Sequence, residues 1–337
     1  MITIADIAAR MQISTATVSN ALTGKGRVNE EKRKAIITVA QEMGYDFSRI
    51  RSSHARKNIV VITEQIGITF CDRIVQGICS AAAEHHAQVT IYNMNILTLI
   101  DWRFNPPMDL LRQEAQKLFE RLDSSCMGLI YVSQYPRDLS NFLPALPVPV
   151  ICTYAYTGNG VPCINYDDQQ GAFLATSHLA SLGRKRIAMI SGVVDSIPMT
   201  KRFAGYQRAL IHAGLDFSLD YVRIGSWNEL SGEKAMEALL SLPVPPDAVF
   251  CQSDYIAIGA MRAVIKAGLR IPDDIAIVGF DDIDAACMVT PQLTTIAPPH
   301  VEIGQEAVHK LMRILDKADD GKPSIKLECW LLKRDSA

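Results

Sequence analysis

Residues 4–22 hold two short helical patterns separated by a tight joint. The second opens Ser14-Thr15-Ala16-Thr17 and carries Ser19 and Asn20 one turn further on. Small hydroxyl and amide side chains at the N-terminal end of a helix suit DNA reading, because a recognition helix meets base edges by that end. A helical hairpin in an unrelated fold shares this local pattern, and charge separates the two readings. Residues 1–57 carry ten Lys and Arg against five Asp and Glu, and the rest of the chain carries 24 against 31. A basic head on an acidic body fits a polyanionic partner for the head.

No comparable set supports catalysis. The chain has no G-x-G-x-x-G, P-loop, nucleophile elbow or metal-ligand cluster, so an enzyme is not expected, nor any cofactor or metal. His85-His86 and the other histidines lack metal spacing and read as surface or packing residues. The eight cysteines stand singly, none in a C-x-x-C pair, and read as reduced thiols.

The elements that must position the DNA-reading residues are three short helices in the first 45 residues. Thr3 is a good N-cap before Ile4, Ile7, Ala8 and Met11, which fall at helical spacing. Ser14 starts a second helix with Val18, Ala21 and Leu22 on one face, and Gly24-Lys25-Gly26 breaks it. Asn29 caps a third helix, with Glu30 and Glu31 in its first turn and Gly44 at its end. Ala35, Ile36, Val39, Ala40 and Met43 would form its buried face. Residues 47–57 are polar and basic, as a linker is. Strand and helix patterns then alternate in two series, over about 59–153 and 168–280. That alternation predicts parallel, doubly wound sheets in two lobes, with a ligand between the carboxyl ends of their strands.

With 337 residues, 48% hydrophobic and 21% charged, the composition is ordinary for a globular chain. No apolar run approaches the roughly 18 residues of a membrane span. The N-terminus does not read as a secretory signal, so a cytoplasmic protein is expected.

The motifs resemble those of the lactose/galactose repressor (LacI/GalR) family. Thr3 to Leu22 is similar to that family's head, followed by Val28-Asn29-Glu30-Glu31 and Met43-Gly44-Tyr45. Arg202-Phe203-Ala204-Gly205-Tyr206, the run Gly268 to Asp282, and Thr290-Pro291-Gln292-Leu293-Thr294-Thr295-Ile296 match the body. The resemblance spans residues 3 to about 334. It implies an α/β protein: a three-helix helix-turn-helix head (1–46), a hinge (47–57) and a periplasmic-binding-protein-like sensing body (58–337). The N-lobe would comprise about 58–160 and 292–323, and the C-lobe about 161–291 and 324–337. The chain would then exchange lobes near 160, 291 and 324.

By that resemblance Thr15, Ala16 and Asn20 read bases. Thr15 and Ala16 suit thymine methyls, and Asn20 suits adenine. The family usually has Arg at the position of Asn20, so the expected operator is richer in A·T there. Ser14, Thr17, Ser19 and Arg27 are candidates for phosphate contacts, with capping or solvation as the alternative for each hydroxyl. Gln12 replaces the usual turn glycine, which predicts a slightly strained turn. In the hinge, Phe47-Ser48 replaces Pro-Asn, Arg51 replaces a small residue, and His54 stands where a leucine wedges into the minor groove. Arg51 and His54 can enter a narrow minor groove without strong kinking.

In the body, the resemblance carries Arg202 into the cleft toward a ligand oxygen, with a surface salt bridge as the alternative. It makes Trp227 a stacking platform, with a core tryptophan as the alternative. Asp281 closes a strand and should accept ligand hydrogen bonds, while Asp282 supports the loop. Ser253 stands at a strand end, and Phe70 and Tyr154 face the cleft from the N-lobe.

The expected protein is a ligand-responsive, sequence-specific transcriptional regulator. It would repress a carbohydrate-utilisation operon under a small sugar-like effector. A purine or nucleoside is the alternative effector, and a sugar-binding protein without DNA function is the alternative class. Its partners would be operator DNA, the effector and a second copy of the chain, with no membrane. No leucine heptad follows residue 334, which favours a dimer over a tetramer.

Overall fold

The computed structural model describes residues 2–23, 28–45, 58–100, 108–122, 125–144, 146–158, 160–319, 321 and 323–337. Contacts divide the chain into two units, Met1–Asn58 and Ile59–Ala337.

The first unit holds α1 (Ile4–Met11), α2 (Thr15–Thr23) and α3 (Glu30–Glu42). Thr3 and Asp6 close a capping box at the start of α1: the Thr3 backbone N–H donates to Asp6 Oδ2 at 2.7 Å, and Asp6 N–H donates to Thr3 Oγ1 at 3.3 Å. Ile7, Val18, Ala21, Ile36 and Ala40 are buried at the centre of the three helices. Ala35 is exposed, contrary to its expected place on the buried face, because the inward stripe of α3 runs through Ile36 and Ala40. Gln12 ends α1 in the left-handed conformation (φ 53°, ψ 42°), the position that favours glycine.

The second unit begins with β1 (Asn58–Thr63), α4 (Thr69–Glu84), β2 (Gln88–Asn93), α5 (Leu97–Ile100), α6 (Met108–Phe119), β3 (Cys126–Val132), β4 (Val150–Thr153) and β5 (Cys163–Tyr166). It continues with α7 (Asp168–Ser181), β6 (Ile187–Ser191), α8 (Ile197–His212), β7 (Val222–Ile224), α9 (Glu229–Leu240), β8 (Ala248–Cys251), α10 (Asp254–Lys266) and β9 (Ala276–Phe280). Last come β10 (Thr294–Ala297), α11 (His300–Leu315), β11 (Ser324–Leu327) and β12 (Trp330–Leu332).

Two sheets form, in the orders β11-β5-β4-β3-β1-β2 and β12-β10-β9-β8-β6-β7. Both are doubly wound, with the order reversing between β1 and β3 and between β6 and β8. Their central strands, β1, β3, β6, β8 and β9, are buried on both faces because helices cover both. Ile59 and Val61 pack with Ile74 and Ile78 of α4 and Ile303 and Leu311 of α11, while Val60 and Ile62 pack with Leu111 and Phe119 of α6. In the second sheet Met189 and Phe250 face α7 and α8, and Ile190 and Val249 face α9 and α10. The α4–α11 crossing is so close that a Cβ on Gly77 would lie 1.9 Å from the Val301 carbonyl oxygen, so only glycine fits there.

The sheets correct the expected exchange points of 160, 291 and 324, moving each to the far side of one short strand. β5 and β11 pair in the first sheet, through Cys152↔Cys163 and Ile325↔Ile164. β10 pairs with β9 in the second, through Thr295↔Gly279. β12 departs from the parallel pattern of its sheet and runs antiparallel to β10.

Candidate functional site

The carboxyl ends of the two sheets enclose a cavity of about 110 Å³. A neighbouring cavity of about 630 Å³ shares Phe70, Tyr135, Trp227 and Tyr255 with it. All six sequence-predicted pocket residues (Phe70, Tyr154, Arg202, Trp227, Ser253 and Asp281) line the inner cavity.

The fold explains how each arrives there. Phe70 lies in the first turn of α4, and Tyr154 follows β4 with φ 55°. Asp281 follows β9 with φ 111°. Left-handed backbone at two non-glycine strand ends costs of order 1–3 kcal/mol each, and such strain gathers at binding sites. Trp227 follows β7, and its indole lies against Gly192, just past β6. A Cβ on Gly192 would come within 2.2 Å of the ring. Ser253 caps α10, its Oγ accepting from the Ile256 N–H at 3.3 Å.

Arg202, on α8, is buried and held on several sides. Its Nε donates to Asp168 Oδ1 at 2.8 Å and its Nη2 donates to the Tyr166 hydroxyl at 2.9 Å. Nη2 also lies 3.4 Å from Asp281 Oδ1, and Nη1 donates to the Gln252 carbonyl. The guanidinium carbon sits 3.6 Å above the Phe280 ring centroid. Arg202 therefore lines the cavity with its fork largely committed to the protein. Burial opposes its charge, but Tyr166, Asp281 and Asp168 more than offset that and push its pKa up. The Tyr166 hydroxyl donates onward to the Tyr154 hydroxyl at 3.1 Å. Tyr154 thus relays the polar chain into the cavity, and burial pushes its phenol pKa up.

Burial also drives the Asp281 carboxyl up to about 7, against the pull of Arg202. Asp282 points away from the cavity. It accepts from Arg334 Nη2 at 2.7 Å and lies 3.8 Å from Arg73, which supports the loop as expected.

Sequence reasoning missed Tyr135, Pro136, Pro198 and Tyr255, which also line the inner cavity. Tyr135-Pro136 lies just past β3 and Tyr255 is the second residue of α10, so strand ends were the available signal. His300, read with the other histidines as a surface or packing residue, is buried behind Phe70 with ring centroids 5.3 Å apart. Neither imidazole nitrogen has a hydrogen-bond partner, and burial holds its pKa down at about 3.

In the head, Thr15, Ala16 and Asn20 are exposed on α2, while Val18 and Ala21 turn inward. The structure thus leaves the three expected base-reading side chains on the surface. Ser14 Oγ accepts from the Thr17 N–H at 3.1 Å and lies 2.8 Å from Thr17 Oγ1, so the Ser14 hydroxyl caps α2 and the Thr17 hydroxyl bonds to it. Ser19 is half-buried. Arg27, Arg51, His54 and the rest of the 47–57 hinge lie outside the described residues.

Among the described residues no group of His, Cys, Asp and Glu could hold a metal ion, and no helix is long and apolar enough to cross a membrane.

Residues 3–47 match the family model of bacterial regulatory proteins, lacI family, and residues 176–337 match that of the periplasmic binding protein-like domain. The chain is 33% identical to the HTH-type transcriptional repressor CytR of Escherichia coli (strain K12), over 99% of this chain and 96% of that protein. It is 29% identical to the ribose operon repressor of Haemophilus influenzae, over 100% and 98%. Among solved structures it is similar to the lac repressor dimer bound to operator and the anti-inducer ONPF. The TM-score is 0.73 at 25% identity, covering 99% of this chain and 98% of that one.

Proposed function

We propose that this chain, which belongs to the lacI family of bacterial regulatory proteins, acts as a homodimeric repressor of a carbohydrate-utilisation operon and is controlled by a small sugar or sugar derivative. That it is a ligand-responsive, DNA-binding transcriptional regulator and not an enzyme follows from its family. The proposal concerns the effector, the assembly and the residues.

The observation that carries it is the convergence of Phe70 and Tyr154 from one lobe with Arg202, Trp227, Ser253 and Asp281 from the other on one cavity. Aromatic rings offer stacking faces and Asp281 offers an acceptor, the combination a sugar ring requires. Residues 1–46 form the DNA-binding domain, with Thr15, Ala16 and Asn20 reading bases. Ser14, Thr17, Ser19 and Arg27 hold phosphates, and Arg51 and His54 enter the minor groove. Residues 47–57 form the hinge and 58–337 the sensor. Two heads meet two half-sites about one helical turn apart. The similar lac repressor is a dimer on its operator, which supports the homodimer.

Because the chain crosses three times between the sheets, a ligand that prefers one lobe arrangement shifts the balance between DNA-binding and non-binding states. The same aromatic walls favour a second reading, a nucleoside effector. The test selects DNA from a random pool with full-length protein, then measures release by sugars and nucleosides using fluorescence anisotropy. A palindromic selected site whose binding responds to one of these compounds is the expected result. Selection without sequence enrichment, or binding indifferent to every compound, would overturn the reading.

A further inference from the structure

Side chains reach from one lobe to the other at two places. Beside the chain crossings, the Tyr166 hydroxyl at the end of β5 accepts from Arg202 at 2.9 Å, and Lys201 of α8 rests 3.7 Å from the Tyr156 ring centroid. Elsewhere α4 makes the reach. It belongs to the first lobe through Ile74 and Ile78, which pack with Ile59 and Val61 of β1. Its first turn serves the second lobe: Phe70 packs against the apolar cluster that includes Ile256 and Ile283.

One turn further on, Arg73 crosses to the loop after β9. Its Nη1 donates to the Asp282 carbonyl at 3.2 Å and lies 3.8 Å from Asp282 Oδ2, and its Nη2 donates to Asp284 Oδ1 at 3.3 Å. Asp282 Oδ1 accepts from Arg334 Nη2 at 2.7 Å, and Arg334 Nη1 donates to the Leu293 carbonyl at 2.8 Å. Asp282 is therefore gripped by one arginine from each lobe. The gripped loop is strained: Asp281 (φ 111°) and Asp282 (φ 50°) are consecutive non-glycine residues with left-handed backbone. Such backbone persists where the surroundings hold it in place. The second lobe supplies part of the hold, since Asp254 Oδ2 accepts from the Ile283 N–H at 3.0 Å. Arg73 adds to it from the other lobe, and Asp281, the neighbour of Asp282, lines the inner cavity.

We propose that Arg73, with Asp282 and Asp284, is a latch between the lobes that positions the Asp281 loop and sets the balance between lobe arrangements, and through that balance the affinity for operator. Lobes that part or slide cannot keep these bonds, and a contact made in one arrangement alone shifts the equilibrium by its own worth. The Arg73 side chain is 32% exposed and that of Asp284 74%. A pair so placed shifts an equilibrium by roughly two- to five-fold. A latch of that size biases the balance and leaves it for a ligand to overturn. The latch also gives the cavity a mechanical link to the first lobe, because a ligand that moves Asp281 moves the loop that Arg73 holds.

This inference rests on the regulatory reading, and the test keeps the two apart. Full-length parent, Arg73→Ala, Asp284→Ala and the double variant are titrated by fluorescence anisotropy with DNA selected by the parent. Amide hydrogen exchange follows peptides spanning 68–76 and 278–288 in the same proteins. Both side chains are exposed enough for the variants to fold. Operator affinity should change by about two- to five-fold, in the same direction in both single variants, with no further change in the double variant. Exchange in the two segments should quicken by about two-fold or more, as local opening becomes easier. Arg73→Lys keeps the charge and should restore part of the affinity change. Single variants that bind like the parent, that move in opposite directions, or whose effects add in the double variant overturn the inference and leave the repressor reading standing. Unchanged exchange in both segments overturns it as well. A parent that selects no DNA sequence overturns the regulatory reading and the inference with it.

Discussion

Gly192 lies flat beneath the indole of Trp227, so close that a Cβ on the glycine would fall 2.2 Å from Cε2 of the ring. The wall of the cavity is set by a residue with no side chain. Gly192→Ala should displace the indole and cost about 1–3 kcal/mol, as overpacking does. Its effector response should weaken while operator binding persists, seen as a shifted tryptophan emission and an anisotropy titration with a raised effector requirement. Unchanged emission and response would show that the indole has room to move.

Arg202 bonds Asp168 and lies near Asp281, all three side chains largely buried. Removing the cation leaves two buried carboxyls without it. Arg202→Met should lose about 3–5 kcal/mol in urea unfolding, the cost of breaking a buried pair. Arg202→Lys should recover part of this, because an ammonium cannot reproduce the fork of contacts to Asp168, Tyr166 and Asp281. Equal losses for the two variants would refute a role for the fork.

His300 has a pKa of about 3 in the folded chain, below the 6.5 of a free imidazole. Between these values the unfolded chain takes up the proton and the folded chain does not. Stability from neutral His300 is therefore fully present above about pH 6.5 and lost as pH falls toward 3, with about 2 kcal/mol gone by pH 5. His300→Phe keeps the stack on Phe70 and removes this proton. It should be more stable than the parent at pH 7.5, having no unpartnered imidazole to bury, and its advantage should widen at pH 5. Melting temperatures at both values decide it, and parallel declines in the two proteins would refute the assignment.

Asn20 is exposed on α2, one turn after Ala16. An asparagine suits adenine where an arginine suits guanine, each good pairing being worth about 1–3 kcal/mol of discrimination. Asn20→Arg should convert an A·T preference into a G·C preference at one position of each half-site. Competition binding with single-base variants of the selected operator reads this directly, and an unaltered preference would remove Asn20 from the base-reading set.

The sequence by itself determined the local elements and the pocket's chief residues. Thr3, Asn29 and Gly44 mark helix ends through their own caps and turns, and apolar periodicity marks the strands. Those are short-range effects that a few neighbouring residues decide. The pocket was legible through the family resemblance, and strand ends that converge in a doubly wound fold agree with it for Tyr154, Ser253 and Asp281.

Only the tertiary structure decided which sheet each returning strand joins. β5 and β10 are four-residue runs of mixed polarity with nothing in them to name a partner, and their pairing with β4 and β9 is settled by the assembled sheets. The same holds for charge. Asp168 and Arg202 stand 34 residues apart in sequence and 2.8 Å apart in space. That closeness fixes the fork of an arginine that also lines the cavity. His300 likewise became an unpartnered buried base only when Phe70, Tyr154 and Tyr166 closed around it. Burial is a property of the assembled core, and no local pattern encodes it.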